Sequence, residues 1–264
     1  MSTVVFLGGG RITSAMVAGL RLGKTKHRLV VHDCNPGKLR DLKKRYPVAV
    51  EPDLNRAVKQ ADVLIVAVRP SSVRELLRMV GKVNRRLLAV SLAAGVPLRV
   101  LSKVAAPPVR WARAMPSPVC RSGRGLTAVT FPRSLPRADR ERVEDLFASF
   151  GQVVEIPESK FDAFTVTYSC SHGYHALATL AQAAQEAGLD RNTALLAGAH
   201  ALADGIIAWR EGKYSLESLL EEAATPGGIA AVTATKMDAA GYGRAVRQGV
   251  AAGLRRARAN AGEA

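Results

Sequence analysis

An apolar run at residues 4–7 (VVFL) leads directly into Gly8-Gly9-Gly10 and then into residues 14–22, where apolar side chains recur at helical spacing. A buried strand that turns sharply through glycines into a helix start is the opening of a βαβ unit, and it constrains the whole chain toward a parallel sheet covered by helices. The same turn is a site for a pyrophosphate, because unpaired backbone N–H groups and the helix dipole converge on one point. Gly8, Gly9, Gly10, Arg11 and Ile12 are therefore candidate dinucleotide contacts. The full fingerprint is G-x-G-x-x-G/A, and here its third position is Thr13, which costs some closeness of helix to strand.

Residues 28–32 (RLVVH) read as a second buried strand, closed by Asp33 twenty-three residues after Gly10. An acidic side chain there meets the hydroxyls of an adenosine ribose, which favours NAD over NADP. Asn35 belongs to the same turn, and Lys38 or Arg40 could instead pair with a ribose phosphate. The alternative reading of Asp33 is an N-cap for a helix beginning near Pro36.

The chain has 264 residues, 48% of them hydrophobic, enough for one large or two modest cores. No apolar run reaches membrane-spanning length and no secretion signal is evident, so the expected compartment is the cytoplasm. Cys34, Cys120 and Cys170 fall in no paired spacing, which fits a reducing environment. The net charge of +16 raises nucleic acid as a partner. The basic residues are scattered and no aromatic residues interleave with them, so nucleic acid is not the expected partner. A positive field would speed the encounter with an anionic cofactor or carboxylate substrate.

Up to residue 157 short apolar runs alternate with helical stretches, the pattern of an α/β domain. Strands are expected at 63–68 (VLIVAV), 87–92, 110–114 and 127–131. The loops after three of them, Arg69-Pro70, Ala93-Ala94-Gly95 and Pro116-Ser117-Pro118, should line the ligand crevice at the carboxyl ends of the strands. Residues 158–264 turn Ala-rich and predict an all-α second domain, with helices at 171–187, 191–211, 216–223, 229–239 and 243–260. The run ALLAGAHALADGIIAW is apolar nearly all round, which implies burial by another chain and a dimer at least.

Five segments, in order, resemble pyrroline-5-carboxylate reductases. That family's G-x-G-N-M-G-x-A is met by Gly8 through Ala15, its A-V-K-P by Ala67-Val68-Arg69-Pro70, and its S-x-A-A-G by Ser91-Leu92-Ala93-Ala94-Gly95. Its R-x-M-P-N is met by Arg113-Ala114-Met115-Pro116-Ser117, and its S-P-G-G-T-T by Thr225-Pro226-Gly227-Gly228-Ile229-Ala230. The resemblance implies an N-terminal Rossmann domain, a helical C-terminal dimerisation domain, NADPH or NADH as cofactor, and a cyclic imine carboxylate as substrate. It adds Asn55, Val68, Arg69, Pro70, Ala93, Ala94 and Gly95 to the cofactor set. Met115, Ser117, Ser171 and Pro226 are implied on the substrate side.

The departures cluster where the resemblance places the substrate. The family's S-G-S-G-P-A-Y aligns with Tyr168-Ser169-Cys170-Ser171-His172-Gly173-Tyr174, and its paired threonines become Ile229 and Ala230. The expectation is that Thr225 and the N–H groups of Gly227, Gly228 and Ile229 hold a carboxylate. Tyr174 or His172 then contacts the nitrogen end, with the substrate fitted to Ile229 and a bulkier Tyr168. Cys170, His172 and His175 match no recognised zinc spacing, and no metal is expected. Two functions stay open: a reductase of a C=N bond, and a catalytically degenerate homologue that keeps the fold for dinucleotide binding or assembly.

Overall fold

The computed structural model describes residues 1–212 and 214–263, which group into two compact units. The first comprises Met1–Tyr168 together with the residues from Ala252 onward, and the second comprises Ser169–Ala251.

The first unit is an eight-stranded sheet of order β3-β2-β1-β4-β5-β6-β7-β8. Its strands are β1 (Thr3–Leu7), β2 (Arg28–His32), β3 (Ala49–Val50), β4 (Val63–Val66), β5 (Leu87–Ser91), β6 (Val109–Met115), β7 (Leu126–Thr130) and β8 (Gln152–Glu155). The first six are parallel, β7 reverses against β6, and β8 runs parallel to β7. The order 3-2-1-4-5-6 is that of a dinucleotide-binding Rossmann sheet, with the switch point between β1 and β4. The strands are apolar on both sides because helices cover both faces: Val4 and Phe6 enter one core, Val5 and Leu7 the other.

The covering helices are α1 (Arg11–Leu22), α2 (Pro36–Arg45), α3 (Leu54–Lys59), α4 (Val73–Val80), α5 (Leu98–Val104), α6 (Arg137–Ala148) and α7 (Glu158–Thr167). α2 begins at proline, and its N-cap is Asn35, whose Oδ1 accepts from the N–H groups of Gly37 and Lys38. Asp33 is thereby relieved of the capping role open to it in the sequence.

α7 is tied to the sheet by a buried cation. Arg113 on β6, 2% exposed, reaches Glu158 Oε1 and Asp162 Oδ1 at 3.2 Å each and lies over the Phe161 ring. Glu158 Oε1 also accepts from the Leu98 N–H at 2.6 Å, so one carboxylate joins the start of α5, β6 and α7.

The second unit holds α8 (Cys170–Glu186), α9 (Arg191–Glu211), α10 (Leu216–Ala223) and α11 (Ile229–Ala239), plus the first part of α12 (Tyr242–Glu263). Asp190 caps α9 through the N–H groups of Asn192 and Thr193. Leu196, Ile206, Trp209, Leu220 and Val232 are exposed in the single chain. Among the described residues no helix is long and apolar enough to cross a membrane.

Candidate active site

The glycine turn between β1 and α1 is shaped by close backbone approach. Gly8 sits at φ +109°, and a Cβ there would lie 2.6 Å from the Ala67 carbonyl oxygen, so only glycine fits. Gly9 donates to Asp33 Oδ2 at 2.7 Å. A Cβ on Gly10 would meet nothing within 4 Å, which leaves open space above the N-terminus of α1. Gly10 is the N-cap of that helix and has no side chain to cap it, so no side-chain acceptor competes for the first-turn N–H groups.

Thr13 resolves the imperfect third position of the fingerprint. Its side chain is fully buried and its Oγ1 donates to the Gly8 carbonyl oxygen at 2.5 Å. The hydroxyl that costs some closeness between helix and strand is thus spent on bracing the turn.

Beside this turn opens a cavity of about 520 Å³ lined by Gly9, Gly10, Arg11, Ser14, Lys38, Asp41, Leu42, Arg45, Tyr46 and Arg121. Four cations face one carboxylate there, an environment for an anionic group. Lys38, Asp41, Leu42 and Arg45 share a face of α2 through their i, i+3, i+4, i+7 spacing, a pattern present in the sequence. Arg121 has no such signal. It arrives on the 3₁₀ turn Pro118–Ser122, which packs on α1.

Asp33, 8% exposed, lies behind the glycine turn, in contact with Gly9 and Lys38. Burial by itself raises its pKa, but the N–H groups of Asn35 and Gly9 and the nearby Lys38 reverse that, so the carboxyl stays below its ordinary value. Lys38 Nζ lies 3.4 Å from Oδ2. The carboxylate therefore braces the two turns through the Gly9 and Asn35 N–H groups.

The other expected cofactor residues divide. Arg69 is exposed, while Val68 and Pro70 are half-buried at the end of β4, Val68 packing on one of the two cores. Ala93 and Gly95 are buried after β5, with Ala94 half-buried between them. Ile12 is half-buried on α1. Asn55 falls in a second cavity, of about 300 Å³, with Lys59, Lys82 and Arg85, so it is not gathered with the glycine turn.

On the substrate side, Met115 is half-buried, and Ser117 is buried with its Oγ accepting from the Val119 N–H at 3.4 Å, a cap for the 3₁₀ turn. The remaining residues belong to the helical unit. Ser171, His172 and Tyr174 lie in the first turns of α8, exposed in the single chain, with Tyr174 64% exposed. Thr225, Pro226, Gly227 and Gly228 form the turn before α11, and Ile229 is 90% exposed. The Gly228 N–H closes that turn onto the Thr225 carbonyl oxygen at 2.9 Å. Of the three N–H groups expected at a carboxylate, this one is already engaged.

Tyr168 has a structural partner that the sequence does not announce. Its hydroxyl accepts from the Leu126 N–H at 2.6 Å and packs over Gly125, so the larger side chain secures the start of β7. Cys120 is buried, and burial pushes its thiol up to about 12, which keeps it neutral.

Two family models match the chain. The model described as NADP oxidoreductase coenzyme F420-dependent covers residues 3–95, and that of pyrroline-5-carboxylate reductase dimerisation covers residues 158–260. A pyrroline-5-carboxylate reductase of Corynebacterium melassecola is 30% identical over 201 residues, covering 74% of each chain. One from Synechocystis is 29% identical over 255 residues, covering 95% of each. The fold is shared with a Plasmodium falciparum pyrroline carboxylate reductase solved with NADP bound, at a TM-score of 0.88 over 98% of both chains and 19% identity. A Rossmann sheet with a glycine cradle, a helical partner unit and relatives aligned along both lead to one assignment: the chain belongs to the pyrroline-5-carboxylate reductase family.

Proposed function

We propose that this chain is an NAD(P)H-dependent reductase of the C=N bond of pyrroline-5-carboxylate, acting as a homo-oligomer. The observation that carries this reading is the cradle at residues 8–11. Gly10 leaves open space, the start of α1 carries no side-chain cap, and Arg11, Lys38, Arg45 and Arg121 surround the adjoining cavity. These features fit a dinucleotide: the α1 N–H groups would hold the pyrophosphate, and the cations would offset its charge. A reduced nicotinamide, when bound, supplies the hydride.

The protein's part is then to bind, orient and exclude water. The turns after β4 and β5 would carry Arg69-Pro70 and Ala93-Ala94-Gly95 to the nicotinamide half. Thr225 and the α11 N-terminus at Ile229 would receive the carboxylate, with Tyr174 or His172 at the nitrogen end. A protonated iminium carries its own activation, so this division of labour asks no strong acid of the protein. Loss of the family's paired threonine hydroxyls at Ile229 and Ala230 weakens substrate contact without removing the reaction's electrophile. A chain retained for dinucleotide binding alone is the less favoured reading, because the cofactor turns and the full length of the family alignment are kept.

The test is oxidation of NADH and NADPH against five-, six- and seven-membered cyclic imines, with and without a carboxylate. Turnover of pyrroline-5-carboxylate is expected, and activity with none of the imines would move the assignment to the binding protein. Light scattering coupled to size exclusion is expected to give at least twice the 28.1 kDa chain mass, because the helical unit exposes large apolar side chains that water does not favour. A monomer at micromolar concentration would remove the homo-oligomer from the proposal.

A further inference from the structure

The last turns of α12 pack on the turn that follows β5. Gly95 has φ +77°, and a Cβ there would lie 2.0 Å from the Ala257 carbonyl oxygen and 3.0 Å from Asn260 Cβ. Helix and turn are thus in direct backbone contact. Asn260 is 7% exposed, and its Nδ2 donates to the Ala94 carbonyl oxygen at 3.0 Å across 166 residues of sequence. Its Oδ1 is buried with no hydrogen-bond partner among the described residues. An apolar side chain would remove the unsatisfied Oδ1 but would take this donor from the Ala94 carbonyl, so what the buried amide supplies here is its hold on the turn. The far end of the same turn is also held, by the Leu98 N–H on Glu158 Oε1.

We infer that Asn260 is a positioning residue for the dinucleotide. By holding the Ala94 carbonyl it fixes the peptide planes of residues 93–95 at the carboxyl end of β5, the edge from which the second half of a Rossmann sheet meets the nicotinamide mononucleotide. A peptide free to rotate must be ordered at each binding event, and one already pinned does not pay that entropy. The effect falls on dinucleotide affinity and leaves the chemical step alone. The inference rests on the reductase reading given above.

The experiment compares the full chain with Asn260→Leu, which has the same branching but more bulk and no donor, and Asn260→Asp, which keeps the shape but cannot donate to Ala94. A third variant, Val143→Ala, thins the buried core under α6 away from the site and controls for lost stability. NADPH and NADH are titrated calorimetrically well below each melting temperature, and kcat is measured at saturating dinucleotide with pyrroline-5-carboxylate. Both Asn260 variants are expected to raise the dinucleotide Kd about fivefold, the effect of one lost hydrogen bond, with kcat within about twofold of the parent. Val143→Ala is expected to lower the melting temperature without moving Kd. The inference is overturned if Kd stays within about twofold in both Asn260 variants, or rises as much in Val143→Ala. A parent chain that neither binds a dinucleotide nor reduces the imine would remove the reductase reading and this inference together. A competent parent with unchanged variants would remove only the role of Asn260.

Discussion

Gly8→Ala is expected to lose about 3 kcal/mol of stability, the sum of a left-handed conformation imposed on an L-residue and a Cβ driven into a carbonyl. At φ +109° the new methyl would sit 2.6 Å from the Ala67 oxygen, and that oxygen belongs to the backbone leaving β4, the neighbour of β1 across the switch point. Relief requires β1 and β4 to separate at their carboxyl ends, where the dinucleotide is proposed to lie. Chemical denaturation and dinucleotide titration should therefore fall together. Gly10→Ala makes the opposite case. Its Cβ meets nothing within 4 Å, so stability should change by less than about 1 kcal/mol while dinucleotide binding drops, because the methyl occupies the space left for the phosphates. Equal loss of stability in both variants would contradict the assignment of separate roles to the two glycines.

Arg113→Met is expected to cost about 3 kcal/mol in urea denaturation, the lower end of what breaking a buried ion pair costs. The guanidinium is 2% exposed, but the side chains of Glu158 and Asp162 are 35% and 32% exposed, so the abandoned carboxylates can regain water. What they cannot regain is the cation over the Phe161 ring and the link between β6 and α7. Glu158→Gln keeps an acceptor for the Leu98 N–H and should cost about 1 kcal/mol or less. A loss under about 1 kcal/mol in Arg113→Met would mean that packing of α7 on the sheet, and not its charges, holds that helix.

Local pattern carried much of the architecture. The helices expected at 191–211, 216–223 and 229–239 coincide with α9, α10 and α11, and those at 171–187 and 243–260 lie within a few residues of α8 and α12. These segments have helix-forming composition throughout and turn residues at their ends, so near neighbours decide them. Alternating strands and helices admit few right-handed topologies, and the order β3-β2-β1-β4-β5-β6 that the tertiary structure adopts is one of them. The two-residue β3, the four-residue β8 and α7 carry too short or too mixed a pattern to announce themselves.

The site was legible in outline. The glycine turn, Asp33 and the cationic face of α2 are readable because each lies within a few residues of a strand end or repeats at helical spacing. What each polar group does is a different matter. In the sequence Asp33 is open both as a ribose contact and as the cap of the helix near Pro36, and the fold gives the cap to Asn35 while Asp33 accepts from the Gly9 N–H. Thr13 looks like a defect in a motif until its hydroxyl is seen on Gly8. Tyr168 shows no sign in the sequence of the Leu126 N–H that its hydroxyl accepts from.

The periodicity of apolar residues, the glycines and the caps are properties of short stretches, so composition and spacing alone specified a Rossmann sheet, a helical unit after it and a dinucleotide turn at the start. The partners of Arg113, Tyr168 and Asn260 lie 45, 42 and 166 residues away, and no local energy selects among distant candidates. Chain closure in three dimensions chose them. A buried polar group must be satisfied by whatever the packed core brings within reach, and that is known only once the core is built.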